Sequence, residues 1–419
     1  MLLLYTLGIR IYGLIIWIFS FFNEKAQLFT NGRKNIFEQI ESKINPTEKH
    51  IWFHFASLGE FEQGRTVIEK IKAIHLNKKI VITFFSPSGY EIRKSYALAE
   101  GVFYLPLDTK RNAKRFVKAI NPEMAIFTKY EFWYFYFDEL RKQNIPLYII
   151  SGIFREKQIF FKWYGSFYRR ILNCVTYFFV QNEESEKLLN SIGLNNVAVS
   201  GDTRFDRVCE NAQEPKQIPL IEDFIGNSTA IVCGSTWPDD EKLLAKLAQQ
   251  NPDWKFIIAP HEIDENHLES IENLFSGSCI RFSKLKSQIS NLIPTAHGTS
   301  PSTLNSQSST LIIDNIGMLS SLYQYGKIAY IGGGFGAGIH NTLEAVAFGL
   351  PIIFGPKYDK FQEAKDLISI GVAKSITTDA ELISAFDGFK ENDLLSTKAS
   401  EYVKNKKGAT EMILDKISF

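Results

Sequence analysis

The residues best suited to chemistry in this chain lie in two short segments, each at the end of an apolar run. The first is FHFASLGEFEQGR, residues 53–65, in which a strand ends at Ala56 and Ser57, Gly59 makes the turn, and Glu60 opens the next helix. A carboxylate there is placed to take a proton from a bound hydroxyl, as a general base must. An acidic residue in a first helical turn also simply complements the helix dipole, so this segment alone supports both readings. The second is IGGGFGAGIHNTLEAVAFGLPIIFGP, residues 331–356, where Gly332, Gly333, Gly334, Gly336 and Gly338 follow a strand and a helix is expected to open near His340 and Asn341. Glycines let a backbone approach a ligand closely, and a helix N-terminus attracts phosphate. Glu344, one turn in, is placed to accept hydrogen bonds from ribose hydroxyls. The Walker lysine is missing and the spacing is not the dinucleotide fingerprint, which disfavours a nucleoside triphosphate or NAD. A glycine-rich turn by itself is as often a packing device; its union with H-N-x-x-E and F-G-P is more specific.

The elements that must hold these segments can be read from periodicity. HIWFHF, KIVITFF, MAIFT, PLYII and TYFFV are strands separated by amphipathic stretches such as residues 61–73 and 110–120, which predicts a parallel, doubly wound sheet. A polar, proline-bearing stretch, NAQEPKQIP (211–219), interrupts the pattern before TAIVCG, WKFIIAP, STLIID, KIAYIGG and LPIIFG repeat it. The reading is α/β: an N-terminal helix over 1–22, a Rossmann-like domain over 23–210, a linker over 211–226 and a second Rossmann-like domain over 227–419 that ends in a helix. Such a pair of domains is expected to face a cleft lined by the loops after the strands, where folds of this kind bind ligands. Residues 284–310, rich in Ser, Thr and Asn, are expected to form a mobile surface insertion. The tail from Asp393 onward reads as helical and polar, with KNKK as a solvated face.

Composition narrows the partners. With 47 basic and 46 acidic side chains no global field draws the protein to nucleic acid, so none is expected as a partner. Cys174, Cys209, Cys233 and Cys279 are far apart with no histidine at ligand spacing, so they read as buried thiols in a reducing compartment and no metal is expected. MLLLYTLGIRIYGLIIWIFSFF, residues 1–22, matches the about 20 apolar residues that cross a bilayer. Its flank, NEKAQ and then Gly32, Arg33 and Lys34, suits an uncleaved anchor with the rest of the chain on the cytoplasmic side. An amphipathic helix lying in the interface is the alternative, because Arg10, Tyr and Gly interrupt the run. Residues 155–170 interleave Arg155, Lys157, Lys162, Arg169 and Arg170 with Phe160, Phe161, Trp163, Tyr164, Phe167 and Tyr168, which reads either as a headgroup-facing segment or as a core helix with solvated basic residues.

A-S-L-G-E after the first core strand, together with G-G-G-F and H-N-x-L-E in the second half, resembles the bacterial 3-deoxy-D-manno-octulosonic acid (Kdo) transferases. The resemblance spans nearly the whole chain through FFSPSGYE (84–91), YLPLD (104–108), YEFW (130–133), QNEES (181–185), GDTRFD (201–206) and GSTWPDDE (234–241). It implies a GT-B fold, an inner-membrane enzyme without a cofactor, CMP-Kdo as donor, and the 6′-hydroxyl of a tetra-acylated lipid A precursor as acceptor. By position it makes Glu60 the catalytic base. Asn341, Thr342, Leu343 and Glu344 become the CMP-binding run, with Ile316, Gly317, Met318, Pro260 and His261 as further CMP contacts. Ser235, Gly338, His340 and Lys360 become candidate phosphate contacts. Arg204 stands where the family has lysine in G-x-x-K-F-D, and keeps a cation to offset negative charge at the donor.

Three positions depart from the family pattern. Lys129 replaces an acidic residue of E-x-E-[LF]-W-P, whereas Glu131 is kept; both are carried as catalytic candidates. Pro260-His261-Glu262 lacks the arginine of the family's P-R-H. Lys360 stands where asparagine is usual after G-P. The expected reaction is inverting: Glu60 deprotonates the acceptor, the resulting oxygen attacks C2 of Kdo, and CMP leaves. Competing readings are another GT-B enzyme acting on a UDP-sugar, either a transferase or a 2-epimerase, and a tethered solute-binding protein. The last of these often carries a lipid-bearing cysteine just after the apolar run, and here the first is Cys174.

Overall fold

Runs of Ile, Val, Phe and Ala that are apolar on both faces suit strands covered by helices on each side. A computed structural model of the protein, describing residues 1–290 and 308–417, arranges them as two seven-stranded sheets. The first holds β1 (His50–Phe55), β2 (Lys79–Phe84), β3 (Gly101–Tyr104), β4 (Pro122–Thr128), β5 (Leu147–Gly152), β6 (Tyr177–Val180) and β7 (Val197–Val199) in the order β3-β2-β1-β4-β5-β6-β7. The second holds β8 (Thr229–Thr236), β9 (Trp254–Pro260), β10 (Cys279–Arg281), β11 (Thr310–Ile312), β12 (Ile328–Ile331), β13 (Ile352–Phe354) and β14 (Ala373–Ser375) in the order β10-β11-β9-β8-β12-β13-β14. Strands pair in parallel, as in β1 with β2 and β4, or β8 with β9 and β12. Both sheets therefore have a switch point, between β1 and β4 and between β8 and β12, where crossovers leave in opposite directions and a crevice opens at the strands' carboxyl ends.

The chain divides into two compact units, Met1–Asp206 with Lys406–Phe419, and Arg207–Asn405. The tail thus behaves differently from the polar extension of the second domain that its composition suggests. Its helices, Leu394–Lys404 and Ala409–Lys416, are broken at Gly408. The second packs on the first unit, because the Asp206 carboxylate accepts hydrogen bonds from the Gly408 and Thr410 N–H groups and the Thr410 hydroxyl. Ile413 and Ile417 bury their side chains in that unit's core.

Two further expectations change. The polar stretch 284–310 is not irregular throughout: the helix Phe282–Ser290 covers its start and Thr310 begins β11, while residues 291–307 lie outside the described residues. Of the four free cysteines only Cys233 is buried; the others are partly exposed.

The N-terminal apolar run forms the helix Leu2–Phe19, among the described residues the one helix long and apolar enough to cross a membrane. One of its faces is committed to the first unit. The Tyr5 hydroxyl donates to Asp108 Oδ2 at 2.5 Å and accepts from the Tyr134 N–H at 3.2 Å. Two turns on, Tyr12 stacks on Phe85 with centroids 6.1 Å apart. A Cβ at Gly13 would come within 2.7 Å of the Leu107 side chain, so glycine permits this close approach. Leu3, Leu4, Leu7, Leu14 and Trp17 point outward and are exposed. Arg33, read from sequence as a flanking positive charge, donates instead to the carbonyls of Phe29, Phe85 and Leu105 and lies over the Phe29 ring at 3.5 Å.

Candidate functional site

In the first unit the switch point gathers charged groups. Glu60 stands in the first turn of the helix Leu58–Ile74, and its Oε2 accepts the Ala56 N–H at 2.6 Å, tying the carboxylate to the end of β1. Burial pushes its carboxyl up to about 7; the Ala56 hydrogen bond and Lys129 oppose the rise, and the negative charge of Glu131 adds to it. Lys129 follows β4 in the left-handed region at φ 59, a costly conformation for a residue with a Cβ, held by its N–H bond to Ile150 O at 3.1 Å. Glu131 lies next on the same segment; its Oε2 accepts the Trp133 Nε1–H at 2.9 Å and meets His54 Nε2 at 3.2 Å.

Beyond Lys129, after β7, Asp202 is buried and receives Gln63 Nε2, Arg204 N and Arg204 Nε. Burial alone would raise its carboxyl, but the Arg204 charge and hydrogen bonds, with Lys129, hold it below the usual range. Arg204 is therefore engaged within the first unit, with Nη2 2.8 Å from Asp202. The structure thus brings Glu60, Lys129, Glu131 and Arg204 into one charged neighbourhood, joined by three residues that the motifs did not single out: His54, Gln63 and Asp202.

The second unit's switch point is built from backbone and stacked rings. The glycine-rich loop folds on itself: Gly338 N bonds Gly333 O, His340 N bonds Gly332 O, and Lys357 Nζ caps Phe335 O and Gly336 O. Gly332 is required by packing rather than by a ligand, since a Cβ there would sit 2.2 Å from Ser235 O. Ser235 itself is in a left-handed conformation, φ 54, at a register shift in β8. Asp240, fully buried, joins the two strands' ends by accepting from Gly333 N, Trp237 N and the Tyr330 hydroxyl.

Over this frame three rings stack: Trp237 on His261 at 4.9 Å, and His261 on His340 at 4.2 Å. Trp237 Nε1–H donates to His340 Nε2 at 3.1 Å, and burial, aided by His261, lowers the His340 imidazole to about 4. His340 is therefore neutral near pH 7.

The helix expected at His340 and Asn341 begins instead at Leu343 and runs only to Ala347. Asn341 Oδ1 accepts the Leu343 N–H and its Nδ2 donates to Glu344, so part of the expected anion-binding helix start is already occupied. The Thr342 hydroxyl is buried without a hydrogen-bond partner. Ile316, Gly317 and Met318 line a pocket of about 550 Å³ together with Lys216, Lys286 and Phe282. Pro260 ends β9 and is buried, whereas Lys360 is exposed and Lys357 is the lysine that reaches the loop.

As for metals, Glu48, His50 and Glu100 place ligand atoms within 4.8 Å of one another, but Lys79 ion-pairs both carboxylates. The aromatic–basic segment 155–170 is divided: Phe160 and Phe167 are core, Arg169 Nη1 caps the carbonyls of Phe160 and Lys162, and Trp163 and Tyr164 are exposed.

Residues 31–207, which make up most of the first unit, match the family model described as 3-deoxy-D-manno-octulosonic-acid transferase. A bifunctional glycosyltransferase/methyltransferase of Fusobacterium nucleatum is 24% identical over 94% of this chain, which spans 58% of that protein's length. A 3-deoxy-D-manno-octulosonic acid transferase of Aquifex aeolicus is 27% identical over 85% of this chain and 89% of its own. Among solved structures, UDP-GlcNAc 2-epimerase from Neisseria meningitidis, bound to UDP-GlcNAc, superposes with a TM-score of 0.58 at 16% identity, over 87% of this chain and 98% of that one. The chain thus has the GT-B fold, two Rossmann-like sheets and an N-terminal apolar helix; it shares that fold with the 2-epimerase and is related in sequence to the glycosyltransferases.

Proposed function

We propose that the protein transfers Kdo from CMP-Kdo to a hydroxyl of a lipid A precursor. The observation that carries the reading is Glu60: a buried carboxylate, tied to the end of β1, whose affinity for protons is raised to about 7. A general base works best when its pKa lies near the working pH, and an ordinary exposed glutamate would be too weak for a sugar hydroxyl. Glu60 takes the acceptor's proton as the oxygen forms its bond to C2 of Kdo. The C2–O bond to CMP breaks with inversion, and its electron pair leaves on the phosphate. Lys129 and Arg204 supply positive charge for that step, Arg204 less directly because Asp202 binds it. In the second unit Gly317 and the run Asn341 to Glu344 hold the CMP, with the buried Thr342 hydroxyl, the neutral His340 and the His261 ring stacked on it as partners. The family match of the first unit and the resemblance of both halves support the donor assignment.

A UDP-sugar donor is the second reading, favoured by His261 and Glu262 where an arginine beside the CMP phosphate is expected. Incubation with CMP-Kdo and a tetra-acylated lipid A precursor, with product read by mass, tests the first reading. Product from the wild type and almost none from folded Glu60→Gln supports it. Turnover of UDP-sugars alone replaces it with the second.

The acceptor's acyl chains require a membrane surface. The helix Leu2–Phe19, docked through Tyr5 and Tyr12 with its other face apolar and exposed, is read as lying in the interface beside Trp163 and Tyr164. Trp163→Ser is expected to weaken binding to anionic liposomes without loss of stability, whereas Phe160→Ser, a core change, lowers stability by about 3 kcal/mol. Equal liposome binding by wild type and Trp163→Ser removes Trp163 from the membrane surface.

A further inference from the structure

The charged neighbourhood of the first unit contains a residue that lies within the segment 53–65 but has no role assigned there. His54 is fully buried on β1, two positions before Ala56, whose N–H holds Glu60. β1 lies between β2 and β4, with His54 opposite Thr83 on one side and Phe127 on the other. The imidazole bridges the two: Nδ1 is 2.8 Å from Thr83 Oγ1, Nε2 is 3.2 Å from Glu131 Oε2, and Phe127 packs on the ring at 4.8 Å.

Thr83 Oγ1 also receives the Trp52 Nε1–H at 2.8 Å. Its own proton can then go to His54 Nδ1, a shorter path than the 3.3 Å to Phe53 O. On the other side a carboxylate oxygen only accepts, so His54 Nε2 carries a proton and donates it to Glu131 Oε2. With the Trp133 Nε1–H, two donors then converge on one oxygen of Glu131 and hold the carboxylate at a set position.

We propose that His54 is a positioning residue: with the Trp133 N–H it clamps the Glu131 carboxylate, whose charge acts on Glu60. The proposal rests on the reading of Glu60 as the base. A buried imidazole with both nitrogens engaged costs more to fold than an aliphatic side chain of its size, which argues for a role besides filling space. A like charge held nearby raises a carboxyl's affinity for its proton. The groups that bear on Glu60 are Glu131 and Lys129 from the segment after β4 and the Ala56 N–H from β1, while Lys129 also acts on Asp202, which Arg204 binds after β7.

The test follows the Glu60 carboxyl by 13C NMR in the full chain labelled with 13C-glutamate, Glu60→Gln identifying the signal, alongside the pH dependence of transfer from CMP-Kdo. In His54→Leu the midpoint of Glu60 falls by roughly one pH unit, and the acid limb of the rate profile moves with it. His54→Gln, which keeps an N–H toward Glu131, retains the wild-type midpoint. In a Glu131→Gln background, itself lowered, His54→Leu adds nothing. Thr83→Val, close in shape, moves the midpoint the same way by less, and serves where His54→Leu does not fold.

An unmoved midpoint in His54→Leu or in Thr83→Val overturns the proposal. So does an equal further fall in the Glu131→Gln background, because His54 would then act by keeping water out. If the midpoint moves as expected but the wild type transfers nothing from CMP-Kdo, the reading of function falls and the positioning stands.

Discussion

The two switch points share a topology and differ in chemistry. In the first unit, loops after β1, β4 and β7 bring together Glu60, Lys129, Glu131, Asp202 and Arg204, a set in which each charge alters the next. In the second, loops after β8, β9 and β12 present a self-bonded glycine loop and the stacked Trp237, His261 and His340, with the carboxylate of Asp240 spent on backbone N–H groups and a tyrosine hydroxyl. A parallel sheet supplies only the crevice; the side chains at the strand ends decide whether it moves protons or holds a ligand. The first site places Glu60 to change its protonation near neutral pH, whereas in the second His340 is held neutral there.

The sharpest way to break this contrast is Glu60→Gln. Transfer is expected to fall about 10²–10⁴-fold at constant folding, the usual loss for a general base. Stability should move oppositely. The folded carboxyl titrates near 7, above its ordinary 4.5, so the native state holds a proton that the unfolded chain has released. Stability from this group is thus fully present below pH 4.5 and is lost as pH rises through 7. Glu60→Gln removes that loss, and its gain over wild type should grow from pH 5 to pH 8, to on the order of 3 kcal/mol. A gain independent of pH, read by denaturant unfolding, would mean that Glu60 is not held protonated in the folded protein.

Asp240→Ala sharpens the other side. Three donors, Gly333 N, Trp237 N and the Tyr330 hydroxyl, lose their acceptor in a fully buried place, for a loss of about 3 kcal/mol. Since the glycine loop is released with it, KM for the donor should rise more than kcat falls. A variant that loses kcat alone would give Asp240 a chemical role.

Most of the fold was legible because the longer strands are continuous apolar runs with β-branched and aromatic residues between amphipathic helices. β3, β7, β10 and β14 were not, being three or four residues long with too little pattern to separate them from loops. Glu60 and the glycine loop were legible as motifs at strand ends. His54, Asp202 and Asp240 were not, for a buried histidine or aspartate is visible in sequence only once its partners are known, and those partners lie up to 139 positions away. The start of the short helix at Leu343 was misread because Asn341 reads as a first-turn residue, whereas its side chain bonds the Leu343 N–H from outside the helix. Arg33 was misread because its flank is polar, while its cage of carbonyls comes from segments up to 72 residues distant.

The smallest expected effect concerns His340. Burial and the neighbouring His261 lower its imidazole to about 4, so it should stay neutral across the range in which Glu60 titrates. Its folded pKa lies below the ordinary 6.5, so the stability it contributes is present above pH 6.5 and is lost as pH falls toward 4. In a 15N NMR titration of the histidine rings, the signal lost in His340→Phe should show no midpoint above pH 5. The Phe variant keeps the stack on His261 and loses only the Trp237 hydrogen bond. A midpoint near 6.5 would make His340 a titrating cation, and its contrast with Glu60 would disappear.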